Sequence, residues 1–149
     1  MNSGSFTKHG ADEVIMARVL VIDDDELFVK LMVQALKQRG HDVEFALDGR
    51  VGSEAFVASR FDVVVCDLVM PHQEGFETIR KMRRERPDIG IVAISGGLTV
   101  STAKIDILRM AEQFGADVTL SKPFKLSELV VAVDTALATP RPTAELTRT

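Results

Sequence analysis

Two short runs of unbroken aliphatic residues, Val19-Leu20-Val21-Ile22 and Val63-Val64-Val65, constrain this chain more than any other feature. A strand with one wet face alternates apolar and polar side chains. A run without alternation belongs to a strand covered on both faces, and such strands build parallel sheets flanked by helices. The rest of the chain agrees. After a first strand from Arg18 to Asp23, the residues Leu27, Phe28, Leu31, Met32, Ala35 and Leu36 recur at helical spacing until Gly40. Asp42 to Leu47 alternates as an edge strand does, and Val51 to Ala58 has the pattern of a short helix. Asp62 to Cys66 is the second buried strand, followed by a third helix carrying Phe76, Ile79 and Met82 and ended before Pro87. A fourth strand spans Ile89 to Ile94, a fourth helix runs from about Ala103 to Phe114, and Val118 to Leu120 is the fifth strand. Leu126, Leu129, Val130, Val133 and Leu137 line the last helix. Five strands alternating with five helices give an α/β, doubly wound parallel sheet with right-handed crossovers.

Size and composition are compatible with that architecture and exclude others. The 149 residues, 46% of them hydrophobic, supply one core. Residues 17–138 are expected to form the domain. Residues 1–16 read as a flexible N-terminal arm or a cloning remnant, and residues 139–149, with Pro140 and Pro142, as a disordered tail. No aliphatic run reaches membrane-spanning length, and Met1 to Gly10 has no apolar stretch like that of a signal peptide. The lone Cys66 permits no internal disulfide, and nothing matches a zinc site. A cytoplasmic protein without membrane insertion is the expectation. The net charge of −4 argues against nucleic acid as a direct partner.

In doubly wound sheets the chemistry sits beyond the carboxyl ends of the strands, where the strand order reverses. Here the first strand ends in Asp23-Asp24-Asp25-Glu26, the third in Asp67, the fourth in Ser95 and the fifth in Lys122. The second ends in Ala46-Leu47 and delivers nothing. Asp25 and Glu26 are sufficiently explained as the start of the first helix, where a cap and an acidic first turn are favoured. Asp23, Asp24 and Asp67 are not so easily explained. Like charges about 4 Å apart repel by roughly 4 kcal/mol at an effective dielectric near 20. A hard divalent cation relieves that, and Mg²⁺ suits a few carboxylates, water and a phosphate. With Ser95 and Lys122 added, the set describes a phosphoryl-transfer site in which Asp67 is able to act as nucleophile.

The chain resembles, from about Arg18 to Leu137, the receiver domain of two-component response regulators. The motifs are Val-Leu-Val-Ile-Asp23-Asp24-Asp25-Glu, Val-Val-Val-Cys-Asp67-Leu-Val-Met70-Pro71 with Gly75 following, Val-Ala-Ile-Ser95-Gly and Ser-Lys122-Pro123-Phe124. Four such motifs in order, each at the end of an expected strand, make the resemblance specific. It implies a flavodoxin-like sheet of strand order 2-1-3-4-5 and a cis Lys122–Pro123 bond. It also implies Asp67 as phosphoacceptor, with Mg²⁺ on Asp23, Asp24, Asp67 and the Val69 backbone carbonyl. Lys122 would pair with the phosphoryl group, and Ser95 would be the switch hydroxyl. The partners implied are a histidine kinase or a histidine phosphotransfer protein as donor and a downstream protein as target. Such a domain is a signalling switch that catalyses its own phosphorylation and slow dephosphorylation. With no effector domain in the sequence, a stand-alone regulator is expected.

Two departures accompany the resemblance. The family commonly carries Tyr or Phe three residues before the lysine, where this chain has Thr119 and no Tyr anywhere. The connection Gly96 to Thr102 is longer than expected, so the switch is expected to be read through that loop and the fourth helix. Elsewhere the bland readings prevail. Arg80, Lys81, Arg83, Arg84 and Arg86 read as a solvated helix face, Cys66 as a core thiol, and His9, His41 and His72 match no metal spacing. Met70 is expected to pack beneath its loop. The rival from another class is a hydrolase of the haloacid-dehalogenase type built on Asp23-Asp24-Asp25. It lacks a later acidic motif, with only Glu128 and Asp134 on a helix after Lys122, and it leaves Asp67 idle. A receiver-like module that binds partners without phosphoryl chemistry is the third reading.

Overall fold

The structure, a computed structural model, describes residues 16–70, 73–96 and 101–139. Five parallel strands, β1 (Arg18–Ile22), β2 (Asp42–Ala46), β3 (Val63–Asp67), β4 (Gly90–Ser95) and β5 (Val118–Ser121), form one sheet in the order β2-β1-β3-β4-β5. The helices are α1 (Glu26–Gln38), α2 (Gly49–Ala58), α3 (Gly75–Glu85), α4 (Ser101–Phe114) and α5 (Leu126–Ala138). Element ends differ from the sequence reading by at most two residues. One small element was not anticipated: Val69–Met70 pairs antiparallel with Gln73–Glu74 in a two-residue ribbon between β3 and α3.

The unbroken aliphatic runs serve two cores at once. Val19, Val21, Val63, Val65, Val92 and Ile94 point to one face and pack with Val29, Met32 and Leu36 of α1 and Leu129, Ala132, Val133 and Ala136 of α5. Leu20, Ile22, Val64, Cys66, Ile91 and Ala93 point to the other, against Phe56 of α2, Ile79 and Met82 of α3 and Ala111 of α4. Each fully buried Val, Leu or Ile stabilises the fold by about 1.5–3 kcal/mol. The buried stripe of α1 is rotated from the expected one: Leu27 and Leu31 are exposed, and Val29 is buried in their place.

Helix starts follow the local chemistry. Asp25 caps α1, its side chain accepting from the Phe28 N–H at 3.1 Å. Asp48 caps α2 in the same way, from the Val51 N–H at 2.8 Å. The basic run after Phe76 is a different matter from the solvated face expected. Arg83 is half-buried and donates to the carbonyls of Gly115, Pro87 and Ile89 and to Asp117. Arg86 donates to the Phe61 carbonyl and stacks on Phe56. Arg80, Lys81 and Arg84 do face solvent. No helix among the described residues is long and apolar enough to cross a membrane.

Candidate functional site

The strand order reverses between β1 and β3, because the chain leaves β1 outward to β2 and returns across it to β3. The helices that follow these two strands therefore lie on opposite faces, and a cleft opens at their carboxyl ends. Register fixes what stands there. Ile22 pairs with Cys66, so the next residues, Asp23 and Asp67, come abreast. Asp67 pairs with Ile94 and Ser95 with Ser121, which brings Ser95 and Lys122 to the same rim. Backbone bonds carry the alignment past the strands: Leu68 N–H to Ile94 carbonyl at 2.8 Å, and Lys122 N–H to Ser95 carbonyl at 2.7 Å.

The side chains converge. Asp23, Asp67 and Ser95 are buried and Asp24 is exposed at the mouth. Asp23, Asp24 and Asp67 each bring a carboxylate oxygen within 4.8 Å of the others. Lys122 Nζ stands 3.2 Å from Asp23 Oδ2 and 3.5 Å from Asp67 Oδ2. Asp67 Oδ1 accepts from the Val69 N–H at 3.0 Å, and Asp23 Oδ1 from the Asp25 N–H at 2.9 Å. Two polar atoms are left over. Asp23 Oδ2 has the Lys122 charge nearby but no donor in hydrogen-bonding geometry, and Ser95 Oγ has no partner among the described residues. Buried polar atoms without partners are uncommon, and these two lie where a bound ion or phosphoryl group would satisfy them.

The electrostatics are correspondingly unbalanced. Burial pushes the Asp67 carboxyl up, and the Asp23 charge adds to this. The Val69 N–H and Lys122 pull it back, leaving it at about 6. Burial works against the Lys122 ammonium, but Asp67 and then Asp23 outweigh it and hold its pKa above the ordinary lysine value. A cluster of hard oxygen donors with surplus negative charge and an unpartnered buried carboxylate oxygen fits a divalent cation of the Mg²⁺ type. Cys66, by contrast, is buried and its thiol is pushed far up, as a core thiol should be.

Glycine makes two close approaches possible. A Cβ on Gly75 would lie 2.3 Å from the Asp67 carbonyl oxygen and 2.6 Å from Leu68 Cα. A Cβ on Gly96 would lie 2.4 Å from Lys122 Cδ, so the lysine stem runs across a bare backbone. The Lys122–Pro123 peptide is cis, as the resemblance implied.

The comparison with known proteins now decides the family, because a model described as "Response regulator receiver domain" matches residues 19–134. The chain belongs to the response regulator receiver family. The receiver domain is 33% identical over 120 residues to the transcriptional regulatory protein RprY of Bacteroides fragilis, a match covering 80% of this chain and 49% of that protein. The chain thus spans about half the length of that relative. Among solved structures, the chemotaxis protein CheY4 of Vibrio cholerae aligns with TM-score 0.71 and 29% identity, covering 82% of this chain and 99% of that one. A response regulator of Burkholderia pseudomallei "with a phosphorylated aspartic acid, calcium ion and citrate" aligns with TM-score 0.68 and 28% identity, covering 78% and 65%. As a receiver domain of two-component systems, the chain is a module of signal transduction by phosphorylation.

All the side chains singled out from the sequence, Asp23, Asp24, Asp67, Ser95 and Lys122, lie at this one rim, while Val69 presents its N–H to Asp67. Thr119 lies inside β5 opposite Ala93, half-buried. The readings of His9, His72 and the loop at 97–100 fall outside the described residues, as does the packing of Met70. One neighbour was missed. Phe28, counted from its spacing as a core residue, is half-buried, and its ring centroid stands 4.9 Å from Lys122 Nζ. The spacing was a sound signal for the helix and silent about the lysine, which lies 94 positions away.

Proposed function

We propose that Asp67 accepts a phosphoryl group from a histidine kinase or a histidine phosphotransfer protein in a Mg²⁺-dependent reaction, and that the resulting change of conformation is read by a partner protein. The observation that carries this reading is the Asp67 carboxylate held between the Val69 N–H and the Lys122 ammonium, 3.0 and 3.5 Å away, beside the buried Asp23.

Each residue has a role that its chemistry supplies. The Val69 N–H fixes one oxygen of Asp67 and orients the carboxylate for attack on phosphorus. As the donor's P–N bond breaks, Lys122 offsets charge on a phosphoryl oxygen and Ser95 Oγ donates a hydrogen bond to another. Asp23, Asp24, Asp67 and the Val69 carbonyl would hold the divalent cation, which supplies further positive charge to the phosphoryl oxygens. Water attack on the acyl phosphate then returns Asp67 to its free form. The state so created is a signalling state of residues 17–138, and a cytoplasmic location accords with the proposed donors. The transcriptional role in the name of the longer relative stays with that protein.

The test is intact mass after incubation with acetyl phosphate. The wild type gains one phosphoryl adduct with Mg²⁺ and none with chelator, and Asp67→Asn gains none. An adduct that depends on Asp23 instead of Asp67 would support the hydrolase, and no adduct on the wild type would leave a module that only binds.

A further inference from the structure

We propose that Phe28 is a positioning residue for the Lys122 ammonium, holding it at the rim of the acidic cluster through the face of its ring. The proposal rests on the phosphoryl-transfer reading above and extends it to a residue on α1. Lys122 Nζ lies 4.9 Å from the Phe28 centroid, within the range in which a ring face attracts a cation. The ring is itself seated: Phe124 meets it edge-on, with centroids 5.5 Å apart and planes at 63°. The stem of Lys122 runs along Gly96. The ammonium is thus bounded by backbone beneath its stem, by the carboxylates of Asp23 and Asp67 on one side and by the Phe28 ring.

The ring is needed because the carboxylates alone hold the ammonium in the wrong way. Lysine is a point charge on a flexible stem, and two buried anions draw it inward without fixing a direction. The place they draw it towards is the one a divalent cation and a phosphoryl group must take. Once a cation neutralises Asp23 and Asp67, their attraction for the ammonium falls. The Phe28 face is an attraction that does not depend on that charge. It keeps the ammonium beside the acceptor in both states. A residue that merely filled the core would be enclosed, whereas Phe28 is half-buried with its ring shared between Phe124 and the lysine.

Two measurements test this. The first is a double-mutant cycle on the rate of phosphorylation by acetyl phosphate at saturating Mg²⁺. Phe28→Leu slows the reaction about three- to tenfold without changing the Mg²⁺ concentration at half-saturation, and Phe28→Tyr, which keeps the ring, stays within about twofold of wild type. In a Lys122→Ala background, Phe28→Leu has no further effect. An equal slowing in both backgrounds overturns the proposal, because it shows an effect that does not pass through the lysine. The second measurement needs no phosphorylation. The ring current of Phe28 shifts the Lys122 ε-methylene resonance upfield in the metal-free protein; the shift persists in Phe28→Tyr and vanishes in Phe28→Leu. If that resonance is the same in the Leu variant, the ring does not hold the lysine. Should the wild type take up no phosphoryl group at all, the functional reading fails, and the resonance alone decides the matter of Phe28.

Discussion

The two ends of the sheet treat charge in opposite ways. At the amino ends of the strands, two arginines are satisfied several times over. Arg18 reaches Asp42, Glu44, Ser59 and the Arg60 carbonyl and lies over the Phe61 ring. Arg83 uses all three guanidinium nitrogens on three carbonyls and Asp117. At the carboxyl ends, Asp23 and Asp67 are buried against each other, an Asp23 oxygen and the Ser95 hydroxyl accept or donate no hydrogen bond among the described residues, and the one Lys122 ammonium is shared between two acids. The amino end contributes stability and ties loops down. The carboxyl end gives stability up, a local violation of the kind that folded proteins tolerate at functional sites, and it accords with the function proposed above.

The contrast is broken most severely at Asp67. Asp67→Asn abolishes the phosphoryl adduct, and it also stabilises the metal-free protein at pH 7.5 by about 1–2 kcal/mol, measured by denaturant unfolding. The sign follows from the raised pKa of about 6: the folded protein holds the charged form poorly, so ionisation costs stability above that pH. The gain therefore shrinks as the pH falls through 6 towards 4, and a gain that grew on acidification would contradict the assignment. At the other end the sign reverses. Arg83→Met costs about 3 kcal/mol, because it removes hydrogen bonds to three carbonyls and an ion pair with Asp117, and Tm falls by roughly 10 °C while the Mg²⁺-dependent adduct still forms below the new transition.

His41 gives a smaller and pH-dependent effect. It is buried, and its Nδ1 accepts from the Ala17 N–H at 3.1 Å, which requires the neutral ring. Burial is the main cause holding its pKa below the ordinary value, against the pull of Asp134 and with the help of Arg39. A depressed pKa contributes stability above the unfolded value, near 6.5, that is lost as pH falls through the folded one. The His41 contribution is thus lost as the pH falls below about 6.5, opposite in sign to that of Asp67, and the difference in unfolding midpoint between the wild type and His41→Gln shrinks on acidification. Smallest of all is Arg50→Ala. It removes an exposed pair with Glu54 at 2.9 Å, a change worth under about 0.5 kcal/mol in thermal unfolding.

The same two ends were unequally legible in the sequence. Asp23, Asp67 and Ser95 were readable because each follows a run of aliphatic residues that announces a buried parallel strand, and parallel register leaves only one place for such residues to meet, whereas Lys122 follows the half-buried edge strand Val118–Ser121 and was readable from its place at that strand's end. Asp25 was readable as a cap from its position alone. Arg83 was not readable. Its partners are mostly backbone carbonyls, which have no sequence signature, and within Arg80 to Arg86 it looks like its exposed neighbours. Leu27 and Leu31 satisfied the helical spacing as well as Val29 does, and only the packing of α1 against α5 and the sheet selects among them. The ribbon at Val69–Met70 and Gln73–Glu74 is two residues long on each side, too short for periodicity to register.

The bare backbone of Gly75 has a mechanical consequence. The first turn of α3 sits on the Asp67 carbonyl with no room for even a methyl group between them. There is no slack in that seam. A displacement of the Asp67 main chain towards it would meet the backbone of Gly75 at once, so the start of α3 is coupled by direct contact to the residue proposed above as the phosphoryl acceptor.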